Sequence, residues 1–357
     1  MRGTTRSRLP SPAVAAAAAL ALLACLGAGR PAAAVGAEPG GSGSTCVLLF
    51  TAGAGQGSGI TDLADLRALG EQELAAALAR SGDAALPADA ALALQRRFRV
   101  RDGRLLTPAF LAVLDSAGAD RLLVAHLYVG RGRIELAGRT LSTGGGLIEA
   151  AATETCSLAG AAWRIDFAIA CRRFVATLAA AVRPRAGAPV APLAVFPLGF
   201  DATAAQIATQ ALLEAALADT ARAVLDPAVL GGALAAAGLD PRRPDRSGLD
   251  LLAGSFAAGE ATLVEMITRD PDQIVRTSDD DAPASSAVSW ETVRSFSLHL
   301  RTVDTGTGLV TAAHGVDQDN SPARGWFGNT ASNAPRQLIA AAMNRLWEAS
   351  RQPGKVR

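Results

Sequence analysis

Two stretches of the chain open on short apolar runs, Val47-Leu48-Leu49-Phe50 and Leu193-Ala194-Val195-Phe196. Unbroken runs of this length, bounded by glycine and proline, read as strands buried on both faces. After the first run, Leu63, Leu66, Leu74 and Leu78 fall within one arc of a helix starting near Thr61. After the second, a helix spans about residues 202–218, with Leu212, Leu213 and Leu217 as its large apolar side chains. Each stretch closes on another helix, near residues 165–182 and 334–349. The polar and apolar pattern between them predicts the same order twice: strand, helix, short strand, one or two helices, three strands, helix.

An internal repeat anchors that correspondence. Arg139-Thr140-Leu141-Ser142-Thr143-Gly144-Gly145-Gly146-Leu147-Ile148 recurs as Arg301-Thr302-Val303-Asp304-Thr305-Gly306-Thr307-Gly308-Leu309-Val310, with six of ten positions identical. Each copy joins two strand-like runs through a Thr-Gly turn, where glycine supplies the positive φ a tight hairpin needs. Working outward, Gly118-Ala119-Asp120-Arg121-Leu122-Leu123 corresponds to Gly248-Leu249-Asp250-Leu251-Leu252, each leading into a strand, and Val47–Phe50 corresponds to Leu193–Phe196. The expected fold class is α/β, two tandem copies of a small mixed-sheet domain. The boundaries are residues 45–183 for the first copy, a Pro- and Gly-rich linker at 184–190, and 191–357 for the second. Extra residues near Phe98 to Leu106, with an Asp102-Gly103 turn, mark the first copy. The second carries an insertion at 259–291, read as a polar loop because Asp270-Pro271-Asp272, Asp279-Asp280-Asp281 and Pro283 interrupt it.

The amino terminus is a targeting segment. Arg2, Arg6 and Arg8 precede an apolar stretch, Ala13 to Ala24, of the length of a secretory h-region and short for a bilayer span. Leu22-Leu23-Ala24-Cys25 resembles the lipobox of bacterial lipoproteins, which makes residues 1–24 the signal peptide and Cys25 the lipidated residue. Cleavage after Ala32-Ala33-Ala34, giving a soluble periplasmic or secreted protein, is the alternative. Residues 25–44, built around Pro39-Gly40-Gly41-Ser42-Gly43, read as a flexible tether.

Composition narrows the chemistry. The 34 basic and 33 acidic residues balance to +1, and removal of residues 1–24 takes this to −2, so there is no electrostatic footprint for nucleic acid. Lys355 is the single lysine, which leaves Schiff-base and phosphate-loop lysine chemistry without a residue. Gly53-Ala54-Gly55-Gln56-Gly57-Ser58-Gly59 follows a strand, but Ser58 stands where a dinucleotide fingerprint needs glycine. His126 and His299 lie on strands without ligand-spaced partners, and His314-Gly315-Val316-Asp317-Gln318-Asp319 lacks the spacing of a Ca²⁺ loop. No catalytic residue, cofactor or metal is assigned.

The lipobox-like tetrad, the strand Ala194-Val195-Phe196-Pro197, the Gly-x-Asp-x-Leu-Leu strand entry and the hairpin Val303-Asp304-Thr305-Gly306 together resemble one superfamily. It includes the curli secretion channel lipoprotein, lipoprotein activators of penicillin-binding proteins, and flagellar and exopolysaccharide accessory lipoproteins. Its small α/β domain is also similar to the amino-terminal domain of TolB. The resemblance implies a non-enzymatic envelope lipoprotein on the periplasmic face of a bacterial membrane, the outer one by preference. Its implied role is an assembly or regulatory factor that binds envelope proteins, with self-association left open. A structural subunit of a secretion or surface-polymer export complex is the alternative, and a hydrolase or nucleotide-binding protein is a third reading.

Two further expectations concern particular side chains. In an oxidising compartment Cys156 and Cys171 are candidates for a disulfide, with Cys46–Cys156 and Cys46–Cys171 as the other pairings. Trp163 and Trp326 occupy the same connection in the two copies, before the last helix. Together with Arg324 and Phe327 they are candidate partner-binding anchors, the competing reading being that each indole folds back onto its own sheet.

Overall fold

The computed structural model describes residues 44–52, 63–101, 103, 106–130, 132–158, 162–182, 191–198, 202–218, 223–240, 245–268, 272–276, 289–293, 295–319 and 335–351. The first half runs β1 (Ser44–Ala52), α1 (Leu63–Arg80), β2 (Ala84–Ala85), α2 (Ala88–Arg97), α3 (Pro108–Ser116), β3 (Arg121–Gly130), β4 (Arg133–Ser142), β5 (Leu147–Ser157) and α4 (Trp163–Ala181). The second runs β6 (Leu193–Leu198), α5 (Ala202–Ala218), β7 (Val224–Leu225), α6 (Pro227–Ala236), α7 (Arg246–Ser255) and β8 (Glu260–Thr268). It continues through β9 (Asp272–Arg276), β10 (Ser289–Val293), β11 (Ser295–Asp304), β12 (Val310–Asp319) and α8 (Pro335–Ser350). Apart from the β9–β10 hairpin the order of elements is the same.

All strands except that hairpin share one ten-stranded mixed sheet, ordered β12-β11-β8-β6-β7-β5-β4-β3-β1-β2. Strands β1 and β6, the first of each half, are parallel to both neighbours and bury alternate residues on opposite faces. Leu48, Phe50, Ala194 and Phe196 enter a cluster common to both halves, where α2, α3, α6 and α7 pack. On the other face Leu49 meets α1 and α4, while Leu193 and Val195 meet α5 and α8. The result is a three-layer α/β/α arrangement in which one helical layer belongs to both halves at once.

Local chemistry sets the helix starts. Pro108 and Pro227 stand at first helical positions, preceded by Thr107 and Asp226, whose side chains accept from the N–H groups of Phe110 and of Ala228 and Val229. The β4–β5 and β11–β12 turns repeat almost bond for bond. Thr143 N–H donates to the Asp120 carbonyl at 3.1 Å, as Thr305 N–H does to that of Gly259. Gly146 and Gly308 close the turns at φ +64 and +75, and each strand pair carries a register shift at the same place, Thr140/Leu141 and Thr302/Val303.

Three expectations change. Gly248-Leu249-Asp250-Leu251-Leu252 is not a strand entry: it lies in α7, capped by Asp245, and buries Leu249 and Leu252 three apart on one face. The segment equivalent to Gly118-Ala119-Asp120 is Ala257-Ala258-Gly259. The insertion therefore does not begin at residue 259, because Glu260–Thr268 is the main-sheet strand β8, and part of it is the antiparallel β9–β10 hairpin rather than a loop. Finally, Thr45 lies opposite Arg121 as Leu193 lies opposite Glu260, so the first strands correspond two residues away from the Val47–Leu193 match. A shift of two keeps every side chain on its face, which is why the apolar pattern cannot detect it.

The halves meet where β5 pairs antiparallel with β7, Leu147 opposite Leu225 and Ile148 opposite Val224. Around this two-residue contact the seam is polar and buried. Arg139 donates to both carboxylate oxygens of Asp226, its Nη2 at 3.2 Å from Oδ1, with side-chain exposures of 8% and 0%. The Gln210 amide donates to the carbonyls of Gly138 at 3.1 Å and Ala152 at 3.2 Å. Gly232 lets α6 approach the backbone at Leu106, where a Cβ would come within 2.3 Å of the carbonyl oxygen, and Leu106 N–H donates to Ala228 at 2.9 Å. Removing one partner of a buried pair strands the other charge, so Asp226→Ala is expected to lower unfolding stability by about 3–5 kcal/mol, with loss of the α6 cap included. Urea unfolding followed by circular dichroism measures this, and a cost under about 1 kcal/mol would mark the pair as no stronger than a surface one.

Candidate functional site

His126, His299, Asp304 and Asp317 are each engaged within the fold. His126, on β3, is 7% exposed and lies between aromatic rings, 5.4 Å from Phe50 and 6.0 Å from Tyr128, stacked on the latter. His299, on β11, faces Gly315 on β12, whose missing side chain leaves room for the imidazole. Asp317 accepts from the Ser297 hydroxyl across the same strand pair. Asp304 accepts from the Thr307 hydroxyl at 2.7 Å and its N–H at 2.6 Å, bonds that hold the Asp304 carboxyl below its ordinary range. These groups are engaged in the architecture, and among the described residues no three His, Cys, Asp or Glu side chains gather as a metal site.

Of the proposed anchors, Trp163 is described. It begins α4, is half-buried and packs against the cluster that holds Phe167 and Phe174, with the Arg164 guanidinium 5.6 Å from its ring. Its neighbour Ile165 is 63% exposed. Arg324, Trp326 and Phe327 lie outside the described residues, as do Cys25, the targeting segment, the tether up to residue 43 and the glycine-rich stretch 53–59.

Cys156, on β5, and Cys171, in α4, do enter one core cluster, but as free thiols rather than as the expected disulfide, and Cys46 is also free. Proximity in the chain and packing of strand on helix bring the two together without joining them. Burial pushes the Cys46 and Cys171 thiols up to about 12 and raises that of Cys156. Thiols held in the neutral form are poor nucleophiles.

The features that sequence reading missed are at the two ends of the sheet. Leu309 and Val310, at the start of β12, are 67% and 57% exposed, although their repeat partners Leu147 and Ile148 are packed at the seam. The ten-residue repeat was the signal: it retains an apolar pair after the turn in both copies. At the opposite end, a pocket of about 50 Å³ opens beside β2, lined by Ala85, Leu86, Ala91 and Leu92 and by the ion pair of Arg67 with Glu71 at 2.8 Å. Arg67 also donates to Gln95 at 2.9 Å.

These residues define a mixed α/β protein whose single large sheet, flanked by helices on both faces, presents apolar side chains at both edges. No family model and no curated protein matches the chain. Among solved structures it is similar to lipoprotein GNA1162 from Neisseria meningitidis, with 16% identity, TM-score 0.30, and coverage of 44% of this chain and 99% of that one. It is also similar to the PelC dodecamer from Paraburkholderia phytofirmans, with 14% identity, TM-score 0.26, and coverage of 46% and 94%. A point-substituted variant of that PelC dodecamer aligns at 15% identity and TM-score 0.24, with coverage of 45% and 94%.

The thiols yield a paired expectation. In the native protein Cys46, Cys156 and Cys171 resist maleimide at neutral pH, and all three label in denaturant without reductant; labelling of Cys46 alone would restore the disulfide. A thiol that ionises less readily when folded favours folding fully below its ordinary pKa of 9.0 and loses that contribution as pH rises toward about 12. Stability should therefore decline above about pH 9, and Cys46→Ala and Cys171→Ala variants should flatten the decline in denaturation midpoints.

Proposed function

We propose that the protein is an envelope lipoprotein built from two copies of one α/β unit, acting as a non-enzymatic assembly or regulatory binding factor. The observation that carries this reading is the arginine-led apolar segment ending at Leu22-Leu23-Ala24-Cys25, followed by a tether without an apolar face. Such a leader delivers the chain to the far side of the membrane, and a lipid on Cys25 would hold the folded body beside it. The binding role draws support from the way His126, Asp226 and the three buried thiols are committed to packing, capping and core, leaving the surface to aromatic and apolar contacts. The matching turns, register shifts and strand orders support the two-unit reading.

A structural subunit of an export complex is the second reading. The exposed apolar pair Leu309-Val310 favours it, since such an edge serves assembly.

Fractionation tests the location. Cys25→Ser should release the protein from the membrane fraction or block its processing, and an unmodified terminus at Val35 by mass spectrometry would overturn the lipid anchor. For the binding role, Trp326→Ala and Phe327→Ala should weaken capture of envelope partners while changing stability by less than about 0.5 kcal/mol. A loss of several kcal/mol with capture unchanged would assign both rings to the core instead.

A further inference from the structure

The seam inside this chain is a head-to-tail contact. The last strand of the first half, β5, meets the short strand of the second, β7, and the equivalents of those two strands, β12 and β2, end the sheet on opposite sides. A contact of this kind uses two different surfaces, so each molecule that makes it once still offers both surfaces to others.

Residue equivalences follow from the pairing. Val310 lies opposite Val303 as Ile148 lies opposite Leu141, so Leu309-Val310 stands in the second half where Leu147-Ile148 stands in the first. On the other edge, Ala85 lies opposite Thr45 as Val224 lies opposite Leu193, so Ala85-Leu86 stands where Val224-Leu225 stands. Inside the chain both pairs are covered: Ile148 and Val224 are fully buried, Leu225 nearly so, and Leu147 packs on the shared core. Outside, Leu309 and Val310 are among the most exposed large apolar side chains described, and Ala85 and Leu86 line the pocket beside β2.

The helix beside the edge occupies an equivalent position. Glu71 precedes Ala85 by fourteen residues, as Gln210 precedes Val224. Gln210 donates to the carbonyl of Ala152, whose repeat equivalent is His314; Glu71, a carboxylate paired with Arg67, has no donor for that carbonyl, so the outer contact does not reproduce this bond. The ion pair of the inner seam does not repeat either. Pro87 occupies the place of Asp226 and Arg301 is exposed, so the outer contact lacks the buried ion pair of the inner one.

We propose that copies of this chain assemble head to tail by reproducing their own internal seam, with Leu309 and Val310 of one copy seated against Leu86 and Ala85 of the next. The contact continues the ten-stranded sheet from molecule to molecule and closes as a ring if the rotation per copy allows, or grows as a filament otherwise. The proposal rests on the two-unit reading above and is independent of the lipid anchor.

The full chain, extracted in mild detergent, is examined by light scattering after size exclusion. A mass at several times that of the monomer is expected. Leu309→Asp with Val310→Asp should reduce it to the monomer while leaving the thermal midpoint in place, because both side chains are exposed within one copy. Separately, Ala85→Cys and Val310→Cys proteins are mixed and oxidised. Cross-linking in the mixture, with neither variant cross-linking alone, establishes the head-to-tail pairing. A wild-type protein that stays monomeric, an assembly indifferent to the double aspartate variant, or cross-linking of Val310→Cys with itself would overturn it. Membrane release by Cys25→Ser is scored apart, so failure of the location and failure of the assembly remain distinct.

Discussion

Asp226 accepts from Arg139 with both carboxylate oxygens, caps α6 through the N–H groups of Ala228 and Val229, and has no exposed surface. Two backbone-paired residues, Leu147 and Ile148, are a short contact on which to join two halves of a sheet, and a slip by one position would turn Ile148 to the wrong face. The ion pair removes that freedom. Arg139 is fixed on β4 and Asp226 at the start of α6, so a guanidinium and a carboxylate that have both left water can be satisfied in one register alone. The Gln210 amide, spanning the carbonyls of Gly138 and Ala152, reinforces the same alignment from the other face.

With the seam aligned, the layer formed by α2, α3, α6 and α7 becomes common property. Val229 of the second half meets Gly146 of the first, and the Leu106 backbone meets α6 at Gly232. The Thr-Gly turns of the two halves are held alike, by Thr143 on Ala119 and Asp120 and by Thr305 on Ala258 and Gly259. Their surroundings have diverged. The first sets Gly146 against Val229 and Ile148 opposite Val224, whereas the second leaves Leu309 and Val310 in solvent. A buried ion pair suits a junction that never has to open, whereas an apolar edge without one suits a contact made between separate molecules.

Among the described residues His126 lies between two rings, burial drives three thiols to the neutral form, and the Asp226 and Asp245 carboxylates cap helices. That allocation directs attention from clefts to edges and faces, where apolar side chains meet water.

From the sequence alone come the α/β class, the order of elements in both halves, the helix near residues 202–218 and the two Thr-Gly hairpins, because short-range periodicity and glycine chemistry encode each within a few residues. What that periodicity encodes ambiguously was misplaced. Gly248–Leu252 carries apolar residues that serve a helix face as well as a strand, and the cap at Asp245 decides for the helix. The first-strand match was two residues out because a strand repeats every two. Matching Gly248–Leu252 to a strand displaced the apolar run of β8 into the insertion, and the aspartates between residues 270 and 281 concealed the hairpin, whose strands are made by backbone pairing rather than composition. Tertiary structure alone decided that the halves share one sheet and one helical layer, that Cys156 and Cys171 stay unjoined, and that Arg139 meets Asp226 eighty-seven positions away. A local pattern specifies which face of an element is apolar; which surface covers that face depends on partners distant in the chain, and in this protein those partners lie in the other half.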